Sequence, residues 1–320
     1  YAELDGIGKM VDTAESIYGD YRWGRYDVLM LPSGFPIGGM ENPRLTFATP
    51  TILAGDKSLL NLIDHELAHS WSGNLVTNAT WEDFWLNEGF TTYFEQRIME
   101  AEQGKEYAAM LWNLSERTLR GAVEDMGADN EDTRLKIDLK DRDPDLGFTD
   151  IPYEKGSAFL LLIEQTVGRE KWDNFLIQYF DEHAFQSMTT TYFLDYLDKY
   201  LLSENEEWKK AIDVQDWVYG PGIPENYPHM ENPRFKTIDK QMATFIKNGK
   251  AKDLETKNWS AQEWMHFIGD LPKDLSLDKM KNLDKNFGLT ESQNSEVADL
   301  WYLLALHTEY TPAYAAMKKF

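Results

Sequence analysis

The 320-residue sequence contains no cysteine, which excludes disulfides and thiolate chemistry. Basic side chains are scarce. Lys and Arg number 32 against 55 Asp and Glu, a net charge of −23. That excess of acid argues against nucleic acid and anionic membrane surfaces as partners. It fits a soluble protein whose ligands are neutral or cationic. An acid-rich surface also serves solubility or salt adaptation. No apolar run approaches the ~20 residues that a membrane-spanning helix needs. No signal peptide is read in these residues; a cytoplasmic location is the expectation, with a secreted or periplasmic one left open because the sequence reads as a piece whose targeting segment lies elsewhere. The sequence lacks an initiator methionine and a capping signal at its end. It opens at Tyr1 and stops at Phe320 inside helical patterns, and reads as a piece of a longer protein. Fixed-period repeats and low-complexity tracts are absent.

What is present supports a globular chain of two domains. At 42% hydrophobic and 13% aromatic, it can bury a substantial core. Residues 1–18 read as a helix, and "YDVLMLP" (26–32) and "RLTFAT" (44–49) as strands. From about 57 the apolar spacing turns helical through Leu59, Leu60, Ile63, Leu67 and Trp71. Residues 81–104 read as a second such helix and 105–126 as a third. Polar residues 127–150 read as a long surface loop, and 153–168, 169–184 and 189–202 as helices. "YGPGIPENYP" (219–228) is a Gly/Pro break. Beyond it, helices are expected near 236–248, 260–271, 276–287 and 293–307, with a fifth starting near 311. The expected class is mainly α with a small β-sheet (α+β). The expected organisation is a domain over 1–220, a linker over 221–231 and an α-helical array over 232–320.

"HELAH" is the densest chemistry in the chain. His65 and His69, four apart, share one face of a helix and can occupy two corners of a zinc tetrahedron. Glu66 lies to the side, where it can take a proton from a metal-bound water. An amphipathic helix with two packed or solvated histidines gives the same spacing. A catalytic zinc also needs a third protein ligand. "WLNEGF" supplies Glu88, nineteen residues after His69, on a helix that can return antiparallel. Its neighbours Trp81, Phe84 and Trp85 imply burial, and a buried carboxylate needs a partner. Glu95, two turns later, can accept a hydrogen bond from a ligand histidine; a solvated charge is the other reading. His183, His229, His266 and His307 have no ligand spacing and read as surface or packing residues.

"HELAH", then eighteen residues, then Glu88 in "NEG", all preceded by "GGMEN", resembles the gluzincin zinc metallo-aminopeptidases. The likeness is greatest to the branch containing leukotriene A4 hydrolase and aminopeptidase B, and it extends through "FATPTILAGDKSLLNLIDHELAHSWSGNLVTNATWEDFWLNEG" and "IPYEKG". The resemblance implies a thermolysin-like catalytic domain over 1–220, missing its first strands, and part of a C-terminal helical domain over 232–320. It implies one Zn2+ per chain held by His65, His69 and Glu88, with water as fourth ligand and Glu66 as the proton carrier. Tyr153, opening "YEKG", matches the family's transition-state tyrosine. In "GGMEN", Gly38, Gly39 and Met40 match the substrate-lining segment and Glu41 the residue that reads a substrate's N-terminal amine. The two glycines permit close backbone approach. A turn carrying a solvated glutamate is the plain reading of the same run. Ile37 matches an S1-pocket position. Asp145 matches an acid serving epoxide hydrolysis, although Phe148 stands where that activity has a tyrosine. A further part of the family's amine site belongs to an N-terminal domain that this chain lacks.

The resulting expectation is a zinc aminopeptidase acting through a zinc-activated water on peptides with a free N-terminus. Nucleic acid and membrane are not expected partners. Two rivals stand beside it: a lipid-epoxide hydrolase with residual peptidase activity, and a metal-free scaffold that binds peptide termini.

Overall fold

Apolar residues at three-to-four spacing fold most of the chain into helices, and the small β content is confined to short strands. The computed structural model describes residues 3–32, 34–35, 37–55 and 57–320. These divide into two compact units. The first holds the described residues within 1–50, 60–108 and 115–230, and the second those within 51–59, 109–114 and 231–320.

In the first unit, helix α1 (Ile7–Tyr18) precedes a three-stranded sheet of β1 (Asp27–Met30), β2 (Gly39–Met40) and β3 (Leu45–Ala48). The order is β1-β3-β2. β1 runs parallel to β3 with Asp27 opposite Leu45, and β2 runs antiparallel with Gly39 opposite Ala48. Among the described residues, β2 is therefore an edge strand, and it lies within "GGMEN". Helix α2 (Asn61–Ala68) starts later than its apolar pattern. It ends where Gly73, at φ 121°, turns the chain back toward β4 (Val76–Asn78).

Helix α3 (Trp85–Gln103) is buried on all sides from Trp85 to Phe94, and α4 (Lys105–Met126) follows after Gly104. Helix α5 (Asp150–Val167) is started by Thr149, whose hydroxyl accepts from the Ile151 amide. It crosses α3 at Gly89 and Gly156. A Cβ on Gly89 would lie 2.8 Å from the Gly156 Cα, so the two backbones touch and only glycine fits. Helices α6 (Arg169–Glu182), α7 (Thr190–Tyr200), α8 (Glu206–Ile212) and α9 (Val214–Tyr219) complete the unit, with β5 (Gln186–Met188) parallel to β4.

The second unit contains α10 (Pro233–Asn248), α11 (Ala261–Gly269), α12 (Leu277–Phe287), α13 (Ser295–His307) and the one-turn α14 (Tyr314–Met317). Their starts are chemically marked. Asn232 and Asn294 cap α10 and α13, and Ser260 with Glu263 forms a capping box on α11. Phe235, Phe245, Phe267, Met280 and Trp301 are buried in its core.

Several boundaries differ from the sequence expectation. Residues 81–83 form a 3-10 turn before α3, and 311–313 do so before α14. Residues 1 and 2 of the first expected helix lie outside the described residues. Segment 127–150 is not simply a surface loop. Leu135, Ile137 and Leu139 alternate into the interior, and Lys136 between them donates to Glu82 and Asp83 at 3.0 Å each. Alternation overrode the polar composition there.

Candidate active site

Two helices and an edge strand build the site. Helix α2 presents His65 and Glu66, and His69 follows at its C-terminal end. Their imidazole rings stand edge-on with centroids 4.9 Å apart. Helix α3 brings Glu88 in its first turn. The Glu88 Oε2 lies 3.3 Å from His65 Nε2 and 3.4 Å from His69 Nε2.

The outer nitrogens of both rings are already committed. His65 Nδ1 meets Glu95 Oε2 at 3.1 Å, and Asn61 donates to the other Glu95 oxygen at 2.9 Å. His69 Nδ1 meets the Ser72 carbonyl at 2.9 Å, with Thr91 beside it. Carboxylate and carbonyl oxygens only accept, so each Nδ1 is the donor, and in the neutral ring that binds a cation each Nε2 keeps its lone pair. In that state three electron-rich atoms converge, and among the described residues Glu88 Oε2 is buried with no hydrogen-bond partner. Such a group requires a cation. Burial opposes charge on the imidazoles, yet Glu88 and Glu95 carry His65 well above the ordinary histidine value, and Glu88 raises His69. Burial likewise raises the Glu88 carboxyl, but the two histidines outweigh it and hold the group at about 2. A metal ion 2.0–2.1 Å from each ligand in a tetrahedral site sets ligand atoms about 3.3–3.4 Å apart, which is the spacing of Glu88 Oε2 from each imidazole. The residues therefore fit a metal ion.

Glu66 is 5% exposed, and among the described residues its Oε2 has no hydrogen-bond partner. Burial pushes its carboxyl up to about 7, against the pull of His65 and His69. The β2 backbone passes directly over it. A Cβ built on Gly39 would fall 2.2 Å from Glu66 Oε1, whereas one on Gly38 would meet only the end of Leu62 at 3.3 Å. Glu41 stands half-buried at the end of the same strand. One carboxylate oxygen each from Glu41 and Glu66 and a nitrogen of His69 lie within 4.8 Å of one another. Met40 is 36% exposed and Ile37 half-buried on the same segment.

The α3–α5 crossing delivers Tyr153. Its ring is near-parallel to His65 with centroids 6.1 Å apart, and it meets Phe84 and Phe148 edge-on. Burial, then Glu88 and Glu41, raise its hydroxyl far above the usual phenol range, so it stays protonated as a donor. Asp145 is not drawn in. It sits exposed in the 144–147 turn, and among the described residues no hydrogen bond joins its carboxylate to the cluster.

Sequence reasoning missed Asn61, Ser72, Asn74, Asn87 and Thr91. Asn61, Asn74, Asn87 and Thr91 are short polar residues that reach a site residue through tertiary contacts, and Ser72 meets His69 locally through its backbone carbonyl; no spacing rule marks them. Among the other histidines, His183 is buried and bonds the Tyr179 carbonyl at 2.8 Å, and His229 pairs with Glu116. In the second unit, His266 lies between Asp239 and Asp270 at 2.7 and 3.2 Å, so both ring nitrogens are engaged.

No helix among the described residues is long and apolar enough to cross a membrane. The profile of the peptidase family M1 domain matches residues 2–217, and that of the leukotriene A4 hydrolase C-terminal region matches residues 259–320. The chain is 38% identical over 325 aligned residues to leucine aminopeptidase 2 of Pyricularia oryzae, covering 97% of this chain and 52% of that protein. It is 37% identical over 320 residues to the leukotriene A-4 hydrolase homolog of Botryotinia fuckeliana, covering 95% and 48%. The yeast leukotriene A4 hydrolase in complex with bestatin superposes with a TM-score of 0.91 at 30% identity, covering 98% of this chain and 55% of that one. The M1 zinc metallopeptidase from Deinococcus radiodurans does so with a TM-score of 0.54 at 26% identity, covering 72% and 46%. The chain spans about half the length of the curated relatives it matches.

Proposed function

The chain belongs to peptidase family M1, and from that premise we propose that it is the catalytic part of a zinc aminopeptidase that releases N-terminal residues from peptides. The observation carrying this reading is the convergence of His65 Nε2, His69 Nε2 and Glu88 Oε2 beside two further carboxylates, Glu66 and Glu41. Two imidazoles and one carboxylate suit zinc, one ion per chain. When bound, the ion supplies a Lewis acid and lowers the pKa of water toward ~7.

The remaining work falls to side chains of this chain. Glu95 and the Ser72 carbonyl hold the ligand imidazoles in one tautomer. Glu66, confined under Gly39, takes the proton of the attacking water and returns it to the departing amine. Tyr153 donates its hydroxyl proton in a hydrogen bond to the oxygen on which negative charge develops. The free edge of β2 pairs with an extended substrate, and Glu41 receives the α-ammonium in a charge-assisted hydrogen bond.

The test uses the protein at its natural length. Glu66→Gln should keep stoichiometric metal and lose about 10²–10⁴-fold in kcat on aminoacyl p-nitroanilides. Acetylating the substrate amine should abolish turnover by the parent. Rapid cleavage of the blocked substrate would make the protein an endopeptidase and leave Glu41 without this role.

A further inference from the structure

Glu41 is held by two asparagines, one from the loop after α2 and one from α3. Asn74 Nδ2 donates to the Glu41 carbonyl at 2.8 Å, while the Asn74 amide donates to the carbonyl of His69 at 3.0 Å. Asn87, immediately before Glu88, donates from Nδ2 to Glu41 Oε1 at 3.3 Å. The carboxylate can only accept, which fixes the orientation of the Asn87 amide. That amide is 5% exposed, and Gly73 closes over it. A Cβ on Gly73 would meet Asn87 Oδ1 at 2.4 Å and His69 Nδ1 at 2.9 Å. No other residue type fits there without displacing both the asparagine and a metal-binding histidine. One side-chain amide thus fixes the Glu41 backbone and the other its carboxylate; Asn87 adjoins Glu88, and Asn74 is tied to His69 through its backbone N–H.

We propose that Asn74 and Asn87 are positioning residues that hold Glu41 at a set reach from the metal cluster, so that the amine of the substrate's first residue is read and deeper positions are not. The inference rests on the assignment of Glu41 to the amine. The clamp acts on the register of the cut, through Glu41, and not on bond cleavage itself.

Two probes separate these effects: bestatin, an amino-acid analogue with a free amine and metal-chelating oxygens, and acetohydroxamate, which chelates but has no amine. In the metal-loaded protein, Asn87→Ala should weaken bestatin relative to acetohydroxamate by roughly three- to tenfold, as expected for one lost hydrogen bond. Metal content should stay at that of the parent. Asn74→Ala, which does not adjoin a ligand, should shift the ratio the same way. The deciding measurement is the double variant. If Asn87 acts through Glu41, its effect on the ratio disappears in the Glu41→Ala background. An undiminished loss in that background, or bestatin and acetohydroxamate falling together in both single variants, overturns the clamp. If Glu41→Ala alone leaves the ratio unchanged, the amine assignment fails and the clamp falls with it. If Glu41→Ala shifts the ratio and neither asparagine variant does, only the clamp is refuted.

Discussion

Replacing Gly39 by alanine adds one carbon at the point where β2 crosses Glu66. The backbone of Gly39 is not in the left-handed region, so alanine brings no dihedral strain, and the effect is contact alone. The new Cβ would sit 2.2 Å from Glu66 Oε1, 2.5 Å from its Cδ and 2.9 Å from its Cγ. Ordinary carbon contacts lie near 3.5 Å, so relief requires a shift of about 1 Å. Either Glu66 or the strand must move. Glu66 is buried on a helix, and β2 is tied to β3 at Gly39–Ala48 and Met40–Phe47. Moving the strand carries Glu41 with it. A displacement of 1 Å at a catalytic group costs on the order of 10²-fold in rate. Overpacking costs about 1–3 kcal/mol of stability. Gly38→Ala is the internal control, because its Cβ meets only the flexible end of Leu62. The assay is kcat and KM on aminoacyl p-nitroanilides, alongside metal content and a denaturation midpoint. Gly39→Ala should lose about a hundredfold in kcat at parental metal content, with Gly38→Ala within about threefold of the parent. Equal kcat in the two variants would refute the claim that the Gly39–Glu66 approach matters.

Two further predictions concern the metal and the interior. Glu88→Ala should empty the site under dialysis against a mild chelator, whereas Glu95→Ala should retain metal with about 10–100-fold weaker affinity; equal retention in both would place the third ligand elsewhere. Lys155 is fully buried, donating to the Thr133 and Gly220 carbonyls at 3.0 and 2.8 Å, and burial lowers its ammonium to about 7. Between about pH 7 and 10 the unfolded chain holds a proton that the native chain has released, so stability rises with pH by up to about 1.4 kcal/mol per unit. Parent and Lys155→Met, compared by urea unfolding at pH 7 and 9, should diverge, and identical pH slopes would sink the argument.

The helical class was legible because periodicity reports burial directly. The apolar spacing of α10 to α13 is local, and Gly104 and Gly127 bound α4 at the residues read from the sequence. Periodicity misled where the chain leaves α2 at Ala68 and turns at Gly73 although the apolar spacing runs on to Trp71, and where polar composition hid alternation at Leu135, Ile137 and Leu139. The short strands β2, β4 and β5 had no signal of their own. Two or three residues cannot display a period, and each exists only because a partner strand meets it.

The candidate site divides along the same line. His65, Glu66 and His69 stand within five residues, so the helix sets their relation before any packing. Glu88 and Tyr153 depend on where two later helices cross. That crossing is decided by Gly89 and Gly156, which carry no chemistry of their own. The same holds for Gly39 over Glu66 and Gly73 over Asn87. In each case the sequence names the group that acts, and a glycine elsewhere in the chain decides how close it comes. A motif search weighs the charged residue and passes over the glycine. An added methyl at Gly39, Gly73 or Gly89 should therefore lower kcat on aminoacyl p-nitroanilides while every residue with chemistry keeps its identity.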